Sequence, residues 1–233
     1  MLFFALLGSC STYISHSMTT SIVKPDTASI IADISSGGAA PTVDVMIGIG
    51  LQKDSEAVFF QYQGDDNVQA LMYDSGKPVT RIGNVYLTGL SIADDVYAEA
   101  GFSGSKLNVF VETQQGRSIM ITSGLTTIWS QCLLTSLQGL SDADALGHLI
   151  AIDTWKGNSK MKPCFAAVRD GAVKVSSDVM YQALADARAD RDRAKTEALL
   201  RDTVDVINAQ INGVPAVVEQ LDGDKIMPAS NEF

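Results

Sequence analysis

The sequence predicts an α+β chain: an antiparallel, β-rich body with an amphipathic helix inside it, followed by a long, charged C-terminal helix. Three observations predict this. Short runs of β-branched and aromatic residues, broken by Gly, Asp, Asn and Pro, recur from residue 43 to residue 122. Near Leu125 the apolar spacing changes from alternation to that of a helix, and beyond residue 176 charges of both signs dominate. With 233 residues, 46% apolar and only 19% charged, the chain can build a core and is too hydrophobic for general disorder.

The chain divides into a leader and linker (residues 1–41), a β-rich body (42–175), a helical segment of the same domain (176–211) and a flexible acidic tail (212–233). The leader admits two readings. In MLFFALLGSC, Leu7, Gly8 and Ser9 precede Cys10 as in a lipobox, which would make the protein a lipid-anchored envelope component through Cys10. No Lys or Arg precedes the apolar stretch, however, and Met18 opens a polar segment that reads as a cytoplasmic start. A cytoplasmic protein is expected, with the lipid anchor as the alternative. The Ser/Gly/Ala/Pro run from Ser35 to Pro41 is a linker, so the fold should begin near Thr42.

VDVMIGIGL, EAVFFQYQG, NVQALMYD and PVTRIGNVYLTGL read as strands, with GDDN and DSGKP as turns. Of the adjacent Phe59 and Phe60, one should enter the core and the other face away. SKLNVFVET and RSIMITS form a hairpin around Gln114, Gln115 and Gly116, with Leu107, Val109 and Val111 on one face. Leu125, Ile128, Trp129, Cys132, Leu133, Leu137 and Leu140 then fall at helical spacing, with Ser123 as the expected N-cap. Ser141, Asp142 and Asp144 suit the start of a second short helix through Leu146. LIAIDTWK and PCFAAVRD, joined by the tip GNSKMK, are a further strand pair, followed by AVKV. A helix from about Ser177 to Ile211 completes the fold, with a break expected near Asp192 and a pairing of Asp192 with Lys195. Strands, one helix and then a hairpin is the element order of an OB-type barrel. The extra strands would make it an elaborated one, and an open antiparallel sheet packed by helices is the alternative.

A net charge of −10 argues against a protein that coats duplex DNA through its overall charge. One segment has the opposite sign. From Asp153 to Lys174 the charge is about +3, and Trp155, Lys156, Lys160, Lys162, Phe165 and Arg169 combine cations with aromatics around one hairpin. Lysines contact phosphates and an aromatic ring stacks on a base, so these residues are the candidate site for single-stranded nucleic acid. Trp155 and Phe165 as ordinary core residues of a soluble hairpin are the competing reading.

Catalytic chemistry is poorly represented. The two histidines, His16 and His148, cannot assemble a histidine metal site, no Gly-x-Ser-x-Gly elbow occurs, and Gly48-Ile49-Gly50 lacks the third glycine of a dinucleotide fingerprint. Asp65 and Asp66, Asp94 and Asp95, Glu99 and Glu112 could gather around Mg²⁺, but acidic pairs more often sit in turns. Cys10, Cys132 and Cys164 show no metal spacing, and an odd number makes a poor disulfide framework. No enzyme, cofactor or metal is expected, and no apolar run is long enough to span a bilayer. The expected function is a non-enzymatic binding module; a structural or protein-interaction subunit is the alternative, and a homo-oligomer is left open.

The ending Asn231, Glu232, Phe233 after Asp222 and Asp224 resembles the acidic, Phe-ended tails of bacterial and phage single-stranded DNA-binding proteins, which implies partner binding through Glu232 and Phe233. Over residues 44–208, GLTTIWSQCLL, DTWKGNSKMKPCF and RDTVDVINAQ resemble a group of cyanobacterial proteins, often plasmid-borne. That resemblance implies a cytoplasmic setting and no particular activity.

Overall fold

Eleven strands and three helices are present among the residues that the computed structural model describes, 43–50, 55–63, 68–94 and 104–213. The strands are β1 (Val45–Ile49), β2 (Phe59–Gln63), β3 (Val68–Leu71), β4 (Tyr73–Asp74), β5 (Lys77–Pro78), β6 (Arg81–Ala93), β7 (Lys106–Thr113), β8 (Ser118–Gly124), β9 (Ile150–Lys156), β10 (Cys164–Asp170) and β11 (Val173–Val175). The helices are α1 (Ile128–Asp142), α2 (Asp178–Ala189) and α3 (Arg193–Ile211). The leader with Cys10 and Met18, the GDDN turn with Asp65 and Asp66, Asp95, Glu99, and the tail with Glu232 and Phe233 lie outside the described residues. No helix among the described residues is long and apolar enough to cross a membrane.

Nine strands form one sheet in the order β11-β10-β9-β6-β7-β8-β1-β2-β3, and β4 and β5 form a separate hairpin. All pairings are antiparallel except that of β1 with β8. The sheet is open; an OB-type barrel is not what these pairings show. It is nevertheless curled. The Cys164 thiol in β10 donates to the carbonyl of Gly50, just beyond β1, at 3.4 Å, and Lys156 in β9 donates to the carbonyl of Ser55. Flat, β10 and β1 would be five strand spacings apart, roughly 24 Å.

The concave face carries the core. Leu107, Val109 and Val111 of β7 share it, as their alternation requires, with Ile47, Ile121, Leu90, Ile152 and Val168 from neighbouring strands. Phe59 is fully buried there, while Phe60 turns to the other side. Helix α1 fills the hollow and is buried on nearly every side: the apolar stripe of Trp129, Leu133, Leu134, Leu137 and Leu140 is covered, and so are the polar Ser130, Gln131, Thr135, Ser136 and Ser141. Its buried polar groups find partners: Trp129 Nε1 donates to Thr154 Oγ1 at 3.0 Å, and Gln131 Nε2 donates to the Thr126 carbonyl at 2.8 Å. Among the described residues, no buried side-chain nitrogen or oxygen lacks a partner.

Three local expectations are corrected. The N-cap of α1 is Thr127, which accepts from Ser130 N–H; Ser123 belongs to β8 and bonds the Thr127 hydroxyl instead. Residues 141–146 do not start a second helix. Helix α1 runs on to Asp142 and closes with Ala145 N–H bonded to the Leu140 carbonyl, Asp144 taking a positive φ of 55°. The long C-terminal helix does break where expected. Asp192 caps α3 by accepting from the backbone N–H of Lys195, and the Lys195 ammonium pairs with Asp190 at 2.7 Å rather than with Asp192.

Strand β6 belongs to two neighbours in turn. Its first residues pair with β9 as far as Val85, and from Val85 onward it pairs with β7 on the other side, with register shifts at Gly83/Val85 and Leu87/Gly89. Past the point where β9 departs, α3 takes over the vacated edge. The Asn208 side chain accepts from Leu90 N–H and donates to the Leu90 carbonyl, both at 2.9 Å, replacing a strand partner. Nearby, Arg201 on α3 holds Asp94 and Glu197, and Ser105 joins the cluster. These hydrogen bonds hold the Asp94 carboxyl below the usual range. Gly139 of α1 lets the chain enter α2: a Cβ there would lie 2.6 Å from the Ser176 carbonyl carbon.

Replacing Asn208 by Ala leaves both Leu90 backbone groups without this partner. The expected cost is about 1–3 kcal/mol in chemical denaturation, with faster hydrogen exchange at the Leu90 amide than at Val109.

Candidate functional site

Alternation along β9 and β10 separates the sequence-predicted residues into two sets. Trp155 and Phe165 sit directly opposite each other on the convex face, with ring centroids 5.9 Å apart and planes 15° from parallel. Gly157 makes this packing possible, because a Cβ at that position would lie 2.7 Å from the Phe165 ring. Trp155 remains 41% exposed, while the other tryptophan, Trp129, is buried against Thr154. Lys156, one residue on from Trp155, points to the concave side and donates to the Ser55 carbonyl. It therefore does not share the surface of Trp155.

Three further strands or strand ends bring charge to the convex face. Arg81 of β6 lies opposite Asp153 of β9, Arg169 of β10 lies diagonally beside it, and Lys174 of β11 lies opposite Arg169. Asp153 holds both arginines: Arg81 Nε at 2.5 Å and Arg169 Nε at 2.6 Å. The hydrogen bond from Arg81, and then that from Arg169, hold the Asp153 carboxyl below the usual range against the opposing effect of burial. Lys174 extends its ammonium over the Trp155 ring, 5.8 Å from the centroid, a favourable placement for a cation on an indole. Lys160 and Lys162 stand exposed at the tip of the β9–β10 turn, Lys162 with a positive φ of 43°.

The surface thus collects three cations, Arg81, Arg169 and Lys174, around one stacked aromatic pair and one carboxylate, with Lys160 and Lys162 exposed at the adjoining turn. Each arginine has more donors than Asp153 occupies, and Arg169 spends one on the Ala172 carbonyl. Arg81 was absent from the sequence-derived set because it lies 72 residues from Asp153. The pairing of β6 with β9 alone brings it here.

No group of three or more His, Cys, Asp or Glu side chains among the described residues is placed to hold a metal. Asp94 is engaged by Arg201 and Ser105, and His148 bonds the Asp170 carboxylate at 2.8 Å on the surface. Burial raises the thiols of both Cys132 and Cys164, which keeps them protonated and unlike a reactive thiolate. The chain matches no protein-family model, and comparison with curated proteins and with solved structures finds no similar one.

Asp153→Asn removes a carboxylate that folding has made more acidic. Its contribution to stability is present above the unfolded carboxyl value of about 4 and fades as pH falls through the lower folded value. Urea denaturation is therefore expected to show the variant less stable than the parent near neutrality, with the gap closing below about pH 4.

Proposed function

We propose that this chain is a non-enzymatic binding module for single-stranded nucleic acid, which lays its bases on the Trp155–Phe165 pair and its phosphates on the surrounding cations. The observation that carries the reading is Trp155 itself. In a chain whose charge is −10, its exposed indole stands at the centre of a cationic patch on a sheet face. Stacking needs only the π-face of a base and tolerates any sequence, and a single strand can offer both an unstacked base and a phosphate to one small patch. A duplex presents its phosphates on a rigid cylinder with the bases stacked inside, so it would gain the charge contacts and lose the stacking.

The binding set of this reading is Trp155, Phe165, Arg81, Arg169 and Lys174, with Lys160 and Lys162 as outlying phosphate contacts. Lys156 is left out because it serves the opposite face. A protein-interaction subunit is a second reading, favoured by the exposed apolar side chains Val179 and Tyr181 on α2.

Fluorescence anisotropy with labelled single-stranded DNA, single-stranded RNA and duplex across a salt series tests the proposal. Single strands are expected to bind more tightly than duplex, and Trp155→Ala to cost about 1–3 kcal/mol of affinity. Lys160→Glu with Lys162→Glu should weaken binding and flatten its dependence on salt, because fewer counterions are released. Absence of binding at low salt, or equal binding by the Trp155 variant, would remove the reading.

A further inference from the structure

A groove of about 530 Å³ lies between the N-terminal half of α1, one face of α2 and the part of β10 that β11 leaves uncovered. Strand β11 pairs only with Val168, Arg169 and Asp170, so among the described residues the stretch 164–167 has a strand neighbour on the β9 side alone. Cys132, Ala166 and Leu184 make the groove apolar, and Ile128 and Tyr181, the latter 63% exposed, stand at its margins. The charged side chains that line it are Lys174 and Arg188, and no carboxylate does so.

We propose that this groove docks an extended acidic peptide from a protein partner, which sets an apolar side chain against Cys132 and Leu184 and a carboxylate between Lys174 and Arg188. Charge selects the occupant: the groove is cationic in a strongly acidic chain, so a second copy of this chain is a poor general match and an acidic segment a good one. Extent selects a peptide over a small molecule. The stretch 164–167 of β10, uncovered by β11, borders the groove, and an extended chain can pair along it as a compact ligand cannot. Arg188 uses its Nε and one Nη on the Gln131 side-chain oxygen, and its remaining N–H groups are available to a carboxylate. The uncovered edge of β10 offers main-chain groups along the line that β11 would have continued, the geometry by which extended peptides join a sheet.

The test is fluorescence anisotropy of the full chain with a labelled heptapeptide alternating aspartate with valine and phenylalanine, beside its counterpart with lysine in place of aspartate. The aspartate peptide is expected to bind saturably and the lysine peptide not to bind. Tyr181→Glu and Arg188→Glu are each expected to weaken binding at least tenfold. Lys174 and Phe165 border both surfaces, but Tyr181 belongs to the groove alone; its exposed position makes its variant safe for folding, and the oligonucleotide affinity of that variant should be unchanged, so this variant tests the groove separately from the nucleic-acid surface. No saturable binding of the aspartate peptide, equal binding of the two peptides, or full affinity in the Tyr181 variant would each overturn the proposal.

Discussion

The curl of the sheet around α1 is the constraint on which the other features depend. Strand β10 reaches Gly50 and β9 reaches Ser55 only because the strands between them wrap a helix buried on nearly all sides. A flat sheet of this order would leave Trp129 and the leucines of α1 with one apolar wall, and burying a leucine or a tryptophan is worth several kcal/mol in such a core. Curling gives the helix walls on several sides, with α2 and α3 closing what the strands leave open. The hydrogen bond from Trp129 to Thr154 fixes the depth at which α1 sits.

The two register shifts in β6 follow from the same requirement. A thirteen-residue strand cannot stay paired with both neighbours through a sharp bend, so β9 lets go after Val85 and β7 takes up the pairing. The departure exposes a sheet edge, which Asn208 of α3 covers; at the other end of the pairing, where Arg81 lies opposite Asp153, alternation along β9 turns Asp153 and Trp155 outward. The cationic aromatic surface is thus the convex side of the bend that encloses α1. Charge there is organised across strands rather than along one hairpin: Asp153 joins Arg81 to Arg169, and Lys174 arrives from the neighbouring strand.

Much of the element order was legible, because alternation and helical spacing are local signals. The hairpin of β7 and β8, the single helix after it, the strands around the GNSKMK tip and the break near Asp192 all follow from residues close together in sequence. What escaped was decided at a distance. Thr127 rather than Ser123 caps α1 because β8 continues through Gly124 and claims Ser123 for the sheet. Ser141 and the acids after it look like a helix start, yet α1 is already running and uses Ser141 to hold Gln210 of α3. The parallel insertion of β1 beside β8 joins segments more than seventy residues apart and excludes the simple barrel order. For the candidate site, the Trp155–Phe165 pair and Arg169 were readable from the hairpin, Lys156 was assigned to a face that alternation denies it, and Arg81 had no local signal.

The central claim is that the convex face around Trp155 receives single-stranded nucleic acid, and the protein carries its own reporter for it. Of its two tryptophans, one is buried beneath the sheet and the other stands on the proposed surface. Intrinsic fluorescence of a Trp129→Phe variant, shown by circular dichroism to be folded, isolates Trp155 during titration with oligothymidylate at low salt. Saturable quenching that reverses on adding salt is the predicted result; emission unchanged to saturating oligonucleotide would contradict the account.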